Sequence, residues 1–315
     1  MARWRVENFR LFTQQGKTER EQEPRMQTTD VHRVGVVGCG LMGSGIAEVC
    51  ARAGLDVLVA DRDEQALDAG HQRVLNSFER AVSRGKLEPA VRDDALARLT
   101  WTTDVAAFAD RQLVVEAVAE VEAVKVEVFR QLDEVVLADD AILATNTSSI
   151  PVMKLAMTTR RPAQVVGVHF FNPVPVLQLV ELVPSLVTSP ATEQRAREFV
   201  ERRLDKKVIR AQDRSGFVVN ALLIPYLLDA IRMLESGFAS REGIDQGMQL
   251  GCAHPMGPLQ LADLIGLDTV IAIAESMYEE FKQPHHSPPP LLRRMVGADL
   301  LGRKAGRGFY EYAAP

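Results

Sequence analysis

Cysteine is scarce. Its three copies among 315 residues, Cys39, Cys50 and Cys252, have neither paired nor metal-ligand spacing. That argues against a disulfide framework and a cysteine-bound metal, and makes a reducing cytoplasm the expected setting. No apolar run approaches the roughly 20 residues needed to cross a bilayer, so no membrane partner is expected. Positive charge is not in excess. Lys and Arg number 37 against 42 Asp and Glu, a net charge of −5, which gives no reason to expect nucleic acid or an anionic lipid surface. What is present is ordinary for a soluble enzyme: 46% hydrophobic and 25% charged residues, enough for two cores.

Residues 1–30 read as a disordered or dispensable tail. Residues 14–24, QQGKTEREQEP, are polar and charged with no apolar period, a composition that cannot build a core. No apolar stretch precedes a small-residue cleavage site, so the segment is not a secretory signal. Met26 lies just before the first strand, and a chain beginning there is expected to be complete in activity.

Residues 32–45 read HRVGVVGCGLMGSG. A β-branched run leads into Gly38-x-Gly40-x-x-Gly43, and residues 46–53 continue as helix. This strand–turn–helix context is what a dinucleotide fingerprint requires. Gly38 permits the tight turn, Gly40 lets the backbone approach a pyrophosphate, and Gly43 lets helix and strand pack closely. The anion would sit on the free N–H groups of the helix start. A second strand, residues 56–60, ends at Asp61, where a carboxylate can bind a ribose 2′-hydroxyl. That carboxylate would repel a 2′-phosphate, so NAD is expected over NADP; Arg62 beside it is the opposing feature.

Helical patterns follow over residues 66–82 and 91–99. Strands recur at residues 113–116 and 141–145, with a helix over residues 123–137 between them. Alternation of this kind means parallel βαβ units. Ligands bind beyond the carboxyl ends of such strands, and Glu116, Glu120, Asn146, Ser148 and His169 all fall there.

Residues 165–183, VVGVHFFNPVPVLQLVELV, place His169 at the end of one apolar run and Glu181 in the next, with a Pro-punctuated loop between. Two strands joined by that loop can set the side chains side by side. A carboxylate bonded to one imidazole nitrogen fixes the tautomer and leaves the other as a base near neutral pH. After about Arg210 no strand pattern appears. Residues 217–234 form a long apolar helix with Pro225 as a kink site and Asn220 as a polar interruption. Helices follow at residues 241–250, 259–265, 268–281 and 290–297. The fold expected is α/β: a doubly wound Rossmann-type NAD-binding domain over residues 31–212, then an all-helical substrate and dimerisation domain over residues 213–315.

Seven motifs carry a more specific likeness: GCGLMGSG from Gly38, LVVEAVAE from Leu113, ATNTSS from Ala144, HFFNPVPVLQLVE from His169, GFVVN from Gly216, HPMGPLQLADLIGLD from His254 and GRKAGRGFY from Gly302. In combination they resemble the L-3-hydroxyacyl-CoA dehydrogenase family, nearest its monofunctional bacterial 3-hydroxybutyryl-CoA members. The resemblance implies a catalytic pair on His169 and Glu181, a substrate-orienting serine on Ser148 and an active-site asparagine on Asn220. It implies NAD contacts on Gly38, Cys39, Gly40, Leu41, Met42 and Gly43, and on Asp61, Glu120, Lys125, Ser148, Asn172 and Lys304. It implies substrate contacts on Ser148 and Asn220, and CoA contacts on the helix after Asp61 at Ser77 and at Arg84, where the family has lysine. The implied reaction is reversible hydride transfer between a 3-hydroxyacyl-CoA and NAD in a homodimer, with no metal. The alternatives at this level are a family member acting on a carrier-protein thioester or a sugar acid, a lysine-dependent β-hydroxyacid dehydrogenase, which the His169–Glu181 pair disfavours, and a non-catalytic nucleotide-binding protein.

Overall fold

A computed structural model describes residues 30–313. Apart from Asp30, the expected N-terminal tail lies outside the described residues.

The chain alternates as the spacing predicts. In order come β1 (Arg33–Val37), α1 (Leu41–Arg52), β2 (Asp56–Ala60), α2 (Glu64–Ser83), α3 (Pro89–Leu96), β3 (Leu99–Thr102), β4 (Leu113–Glu116), α4 (Glu122–Val135), β5 (Ile142–Thr145), α5 (Val152–Ala156), β6 (Val165–Phe170), β7 (Leu179–Val183), α6 (Pro190–Glu198) and β8 (Lys207–Arg210). The strands form one sheet in the order β3-β2-β1-β4-β5-β6-β7-β8. β1 to β6 run parallel, β7 is antiparallel to β6, and β8 is parallel to β7. The order reverses between β1 and β4, which opens a crevice beyond the strand ends where ligands bind in such sheets.

Both sheet faces are covered, so the central strands are apolar on alternate residues in both directions. Val34, Val36, Val57 and Val59 pack with α1 and α2 residues Ile46, Cys50, Val74 and Phe78. Val37, Leu58 and Ala60 turn the other way, toward Phe108, Phe129 and Leu155. The sheet's last strand ends at Arg210. α7 (Val219–Glu235), α8 (Arg241–Gly251), α9 (Pro258–Ile265), α10 (Leu267–Phe281) and α11 (Pro290–Gly297) follow and enclose their own core around Leu227, Ile231, Leu259 and Ala274.

The structure corrects several local expectations. The helix expected over residues 91–99 stops at Leu96, and Leu99 opens edge strand β3. β3 is only partly buried, so LTWT shows no apolar run. The helix after the glycines begins at Leu41 and runs on through the residues from 46 onward that were expected to continue it, ending at Arg52. α5, α6 and β8 have no counterpart in the apolar pattern. α6, PATEQRARE, is polar and starts from Ser189, whose hydroxyl accepts the Thr192 N–H, with Pro190 in the first turn, a start signal independent of hydrophobic periodicity.

Candidate active site

The glycine loop fits a dinucleotide. Gly38 has φ of +93°, and a Cβ there would stand 2.7 Å from Ala117 backbone. A Cβ on Gly43 would stand 1.7 Å from the Gly38 carbonyl oxygen, so helix and strand approach only with glycine. Gly40 is different: a Cβ there meets no protein atom within 4 Å, so its bare face is turned to open space at the helix start. No side chain caps α1 and no acidic residue lies in its first turn. The N–H groups around Leu41 and Met42 are therefore left for an anion.

Cys39 is fully buried, and its backbone N–H donates to Asp61 Oδ2 at 2.7 Å. Its thiol lies 3.2 Å from the same oxygen and 3.1 Å from the Ala66 carbonyl. Burial, then the hydrogen bond and charge of Asp61, push the thiol up to about 12. Cys39 is therefore more than apolar filling, since it helps fix the Asp61 carboxylate, and only its backbone can face a ligand. Arg62 N–H donates to Asp61 Oδ1 at 2.8 Å, while the Arg62 guanidinium turns to Asp63 at 3.1 Å.

A buried acid–base network underlies the ends of β4 and β5. Glu116, fully buried, accepts from Lys125 Nζ at 2.6 Å, Val118 N at 2.7 Å and Thr145 Oγ1 at 2.7 Å. Lys125 is 1% exposed and lies 3.2 Å from Glu120 Oε2. Its ammonium is thus enclosed between two carboxylates. Glu120 Oε1 gathers Thr147 Oγ1, Ser148 N at 2.9 Å and Ser149 N at 3.0 Å, which holds the loop carrying Ser148. Burial opposes the Glu120 charge, but Lys125 and these hydrogen bonds outweigh it and hold the carboxyl below its ordinary 4.5. A depressed folded-state value adds stability above the unfolded value, which is lost as pH falls through the folded one. As pH falls into the acid range below about 5, the parent is therefore expected to lose more stability than Glu120→Gln. Chemical denaturation across that range measures it, and equal losses would contradict the network.

His169 and Glu181 are direct partners across the β6–β7 ladder, which puts both side chains on one face. His169 Nδ1 lies 2.8 Å from Glu181 Oε2. Glu181 is fully buried, and its other oxygen accepts Val218 N at 3.0 Å and Val219 N at 2.9 Å. The carboxylate thus holds the imidazole with one oxygen and the start of α7 with the other. Phe171 and Phe217 close on the imidazole with ring centroids at 4.7 and 5.5 Å. Asn220, in the first turn of α7, is 8% exposed, and its side chain makes no hydrogen bond among the described residues. Its amide is left for a ligand.

Other expected positions are less directly grouped. Ser77 lies on α2 and Arg84 caps its C-terminal end two turns later, hence on the same face. Ser77 lies where it opposes the rise that burial imposes on the Glu48 carboxyl, while Arg84 is exposed at the helix end. Asn172 is exposed in the loop after β6. Lys304 lies in the C-terminal segment, its ammonium 2.5 Å from Asp268 at the start of α10. Asn146 was expected at a strand end, but apolar pattern alone passes over Thr147 and Ser149. Asn146 Oδ1 accepts the Phe170 N–H at 2.8 Å and so pins the end of β6 beside His169. The signal was the polar run TNTSS directly after a buried strand. Among the described residues no His, Cys, Asp and Glu group could hold a metal, and no helix is long and apolar enough to cross a membrane.

Comparison with known proteins agrees with this geometry. Residues 33–214 match the model of the 3-hydroxyacyl-CoA dehydrogenase NAD-binding domain, and residues 216–312 that of the same family's C-terminal domain. The chain belongs to the 3-hydroxyacyl-CoA dehydrogenase family. It is 60% identical over 282 residues to a 3-hydroxybutyryl-CoA dehydrogenase of Mycobacterium tuberculosis, covering 90% of this chain and 99% of that one. It is 39% identical over 289 residues to the human mitochondrial hydroxyacyl-coenzyme A dehydrogenase, covering 90% and 91% of the two chains. A crystal structure of the (S)-3-hydroxybutyryl-CoA dehydrogenase of Ralstonia eutropha superposes with a TM-score of 0.85 at 44% identity, covering 90% of this dehydrogenase and 100% of that chain. The boundary between the two family segments, at residue 215, falls between β8 and α7.

Proposed function

We propose that this protein catalyses the reversible NAD-dependent oxidation of (S)-3-hydroxyacyl-CoA to 3-ketoacyl-CoA, with 3-hydroxybutyryl-CoA as its substrate. The observation that carries the reading is the His169–Glu181 pair, buried at the carboxyl end of the sheet whose first βα turn is the open-faced glycine loop. NAD bound there supplies the hydride acceptor. The residues from Gly38 to Gly43 would hold its pyrophosphate and Asp61 its ribose, with Glu120, Ser148, Asn172 and Lys304 along its length.

In oxidation His169 takes the 3-hydroxyl proton on Nε2, the nitrogen that does not face Glu181, and in reduction it returns the proton. Glu181 accepts from Nδ1–H, which fixes the reactive tautomer and steadies the imidazolium. The Val218 and Val219 N–H groups keep Glu181 from rotating away. Ser148 and the open amide of Asn220 orient the reacting oxygens, a positional contribution. Ser77 and Arg84 take the CoA moiety. The helical segment serves dimerisation: Leu222, Phe238 and Leu250 are 74%, 79% and 85% exposed on it, apolar surface that a second copy would cover. Free cysteines at all three positions support a cytoplasmic location.

The deciding assay is reduction of acetoacetyl-CoA by NADH, set against longer 3-ketoacyl-CoA esters, carrier-protein thioesters and sugar acids. Acetoacetyl-CoA is expected to give the highest kcat/KM, and no turnover on any CoA ester would overturn the proposal. NADH is expected to be preferred over NADPH, because Asp61 meets a 2′-phosphate while Arg62 is engaged with Asp63. Asp61→Ala should narrow that preference; equal kcat/KM for both cofactors in the parent would remove Asp61 from this role.

A further inference from the structure

The loop that joins His169 to Glu181 is tied from beneath by a lysine outside every motif described above. Lys206 is 5% exposed, and its ammonium donates to the carbonyl oxygens of Val174 at 2.8 Å and Leu177 at 2.7 Å. The rest of the loop is held at a few points. At its start Phe170 pairs with Val180 in the β6–β7 ladder. At its end the Gln178 carbonyl accepts the Lys207 N–H at 2.8 Å, and within it Val176 and Leu177 donate back to Pro173. Val174 seats on Gly45 of α1, where a Cβ would stand 2.9 Å from the valine Cβ.

Elsewhere packing is thin. A cavity of about 310 Å³ is lined by Pro175, Gln178 and Lys206 together with Arg52 and Leu87. Lys206 makes no ion pair with a carboxylate among the described residues. A buried ammonium without an opposite charge is costly unless its hydrogen bonds are used. Burial and the neighbouring Arg52 guanidinium push its pKa below the ordinary 10.5, so the environment does not favour the charge for its own sake. What the ammonium does is satisfy two carbonyls that a turn leaves pointing inward.

We propose that Lys206 is the positioning residue of the loop over residues 171–178, setting where Asn172 meets the cofactor. This rests on the cofactor role given to Asn172. The lysine touches neither cofactor nor substrate. Its effect reaches the site through two backbone hydrogen bonds, and Val174 against Gly45 registers the same loop on the helix that begins at the glycine turn.

The test is steady-state kinetics of acetoacetyl-CoA reduction by the full chain, with Lys206→Met, Lys206→Arg, Gly45→Ala, Asn172→Ala and the Lys206→Met/Asn172→Ala double variant. Lys206→Met is expected to raise the KM for NADH about tenfold, the scale of one lost ligand hydrogen bond, and to lower kcat at saturating NADH much less. Lys206→Arg should recover part of that loss. The double variant should be no worse than Asn172→Ala alone, because both changes remove one interaction. A KM for NADH unchanged in Lys206→Met while Asn172→Ala raises it overturns the inference, as do multiplying effects in the double variant. An unchanged KM in Asn172→Ala instead overturns the cofactor reading of the loop. If Lys206→Met does not fold, Gly45→Ala decides, because its methyl must displace Val174: a raised KM for NADH supports the tie, and an unchanged one overturns it.

Discussion

The His169→Gln enzyme is expected to lose about 10²–10⁴ in kcat, the range for a positioned acid–base group, with NADH affinity nearly unchanged. The two effects separate because the residues lie on different strands. The glycine loop follows β1 and Asp61 follows β2, whereas His169 is the penultimate residue of β6. Glutamine keeps the size and polarity of the side chain but has no basic nitrogen to exchange a proton. Glu181→Gln should also lower kcat, since the amide no longer stabilises the charged imidazole. It should cost stability as well, because Glu181 also accepts the Val218 and Val219 N–H groups at the start of α7. Single-turnover reduction with NADH titrated by fluorescence checks both halves. Retention of more than about a tenth of the parental kcat by His169→Gln would remove it as the acid–base group. His254 is a poor substitute: its Nδ1 lies 3.3 Å from Tyr226 OH, in the helical segment.

The largest stability effect is expected at Lys125. Lys125→Met leaves Glu116 buried, with 0% of its surface exposed, and without its cation. Breaking one side of such a pair costs about 3–5 kcal/mol, whereas removing both partners together is far less damaging. Lys125→Met should therefore unfold at markedly lower urea concentration than the parent, and Glu116→Gln/Lys125→Met should regain much of the loss. The same substitution should raise the KM for NADH, because Glu120 loses the charge that holds it against the Ser148 loop. Urea midpoints for the single and double variants measure the effect. A single-variant loss under about 1 kcal/mol would show that Val118 N–H and Thr145 hydroxyl are enough to carry the Glu116 charge.

Legibility followed burial. β1, β2, β4 and β5 stand out in the chain because both of their faces are covered, and a strand covered on both faces needs unbroken apolar residues. β3 and β8 lie at the two edges of the sheet, where half-exposed residues such as those of LTWT and KVIR are tolerated and leave no pattern. α6 was hidden for a related reason: it is amphipathic but mostly polar, so its capping residues were a better guide than its periodicity.

The local motifs therefore determined much by themselves. Gly38 and Gly43 are required by a positive φ and a close backbone approach that no other residue satisfies, whereas Gly40, in ordinary extended backbone, leaves an open face because it has no Cβ. Asp61 follows because a strand of that length ends there. The meeting of His169 and Glu181 needed only two strands and a loop. What the tertiary structure alone decided is long-range. Glu181 also anchors α7 through Val218 and Val219, 37 and 38 residues away, which ties the catalytic pair to the helix bearing Asn220. Lys125 faces inward between Glu116 and Glu120, and Lys206 reaches back 32 residues to the Val174 carbonyl. Such contacts depend on how a packed sheet and its crossovers bring distant segments together, and hydrophobic periodicity reports only which face of a segment is buried, not which neighbour it meets.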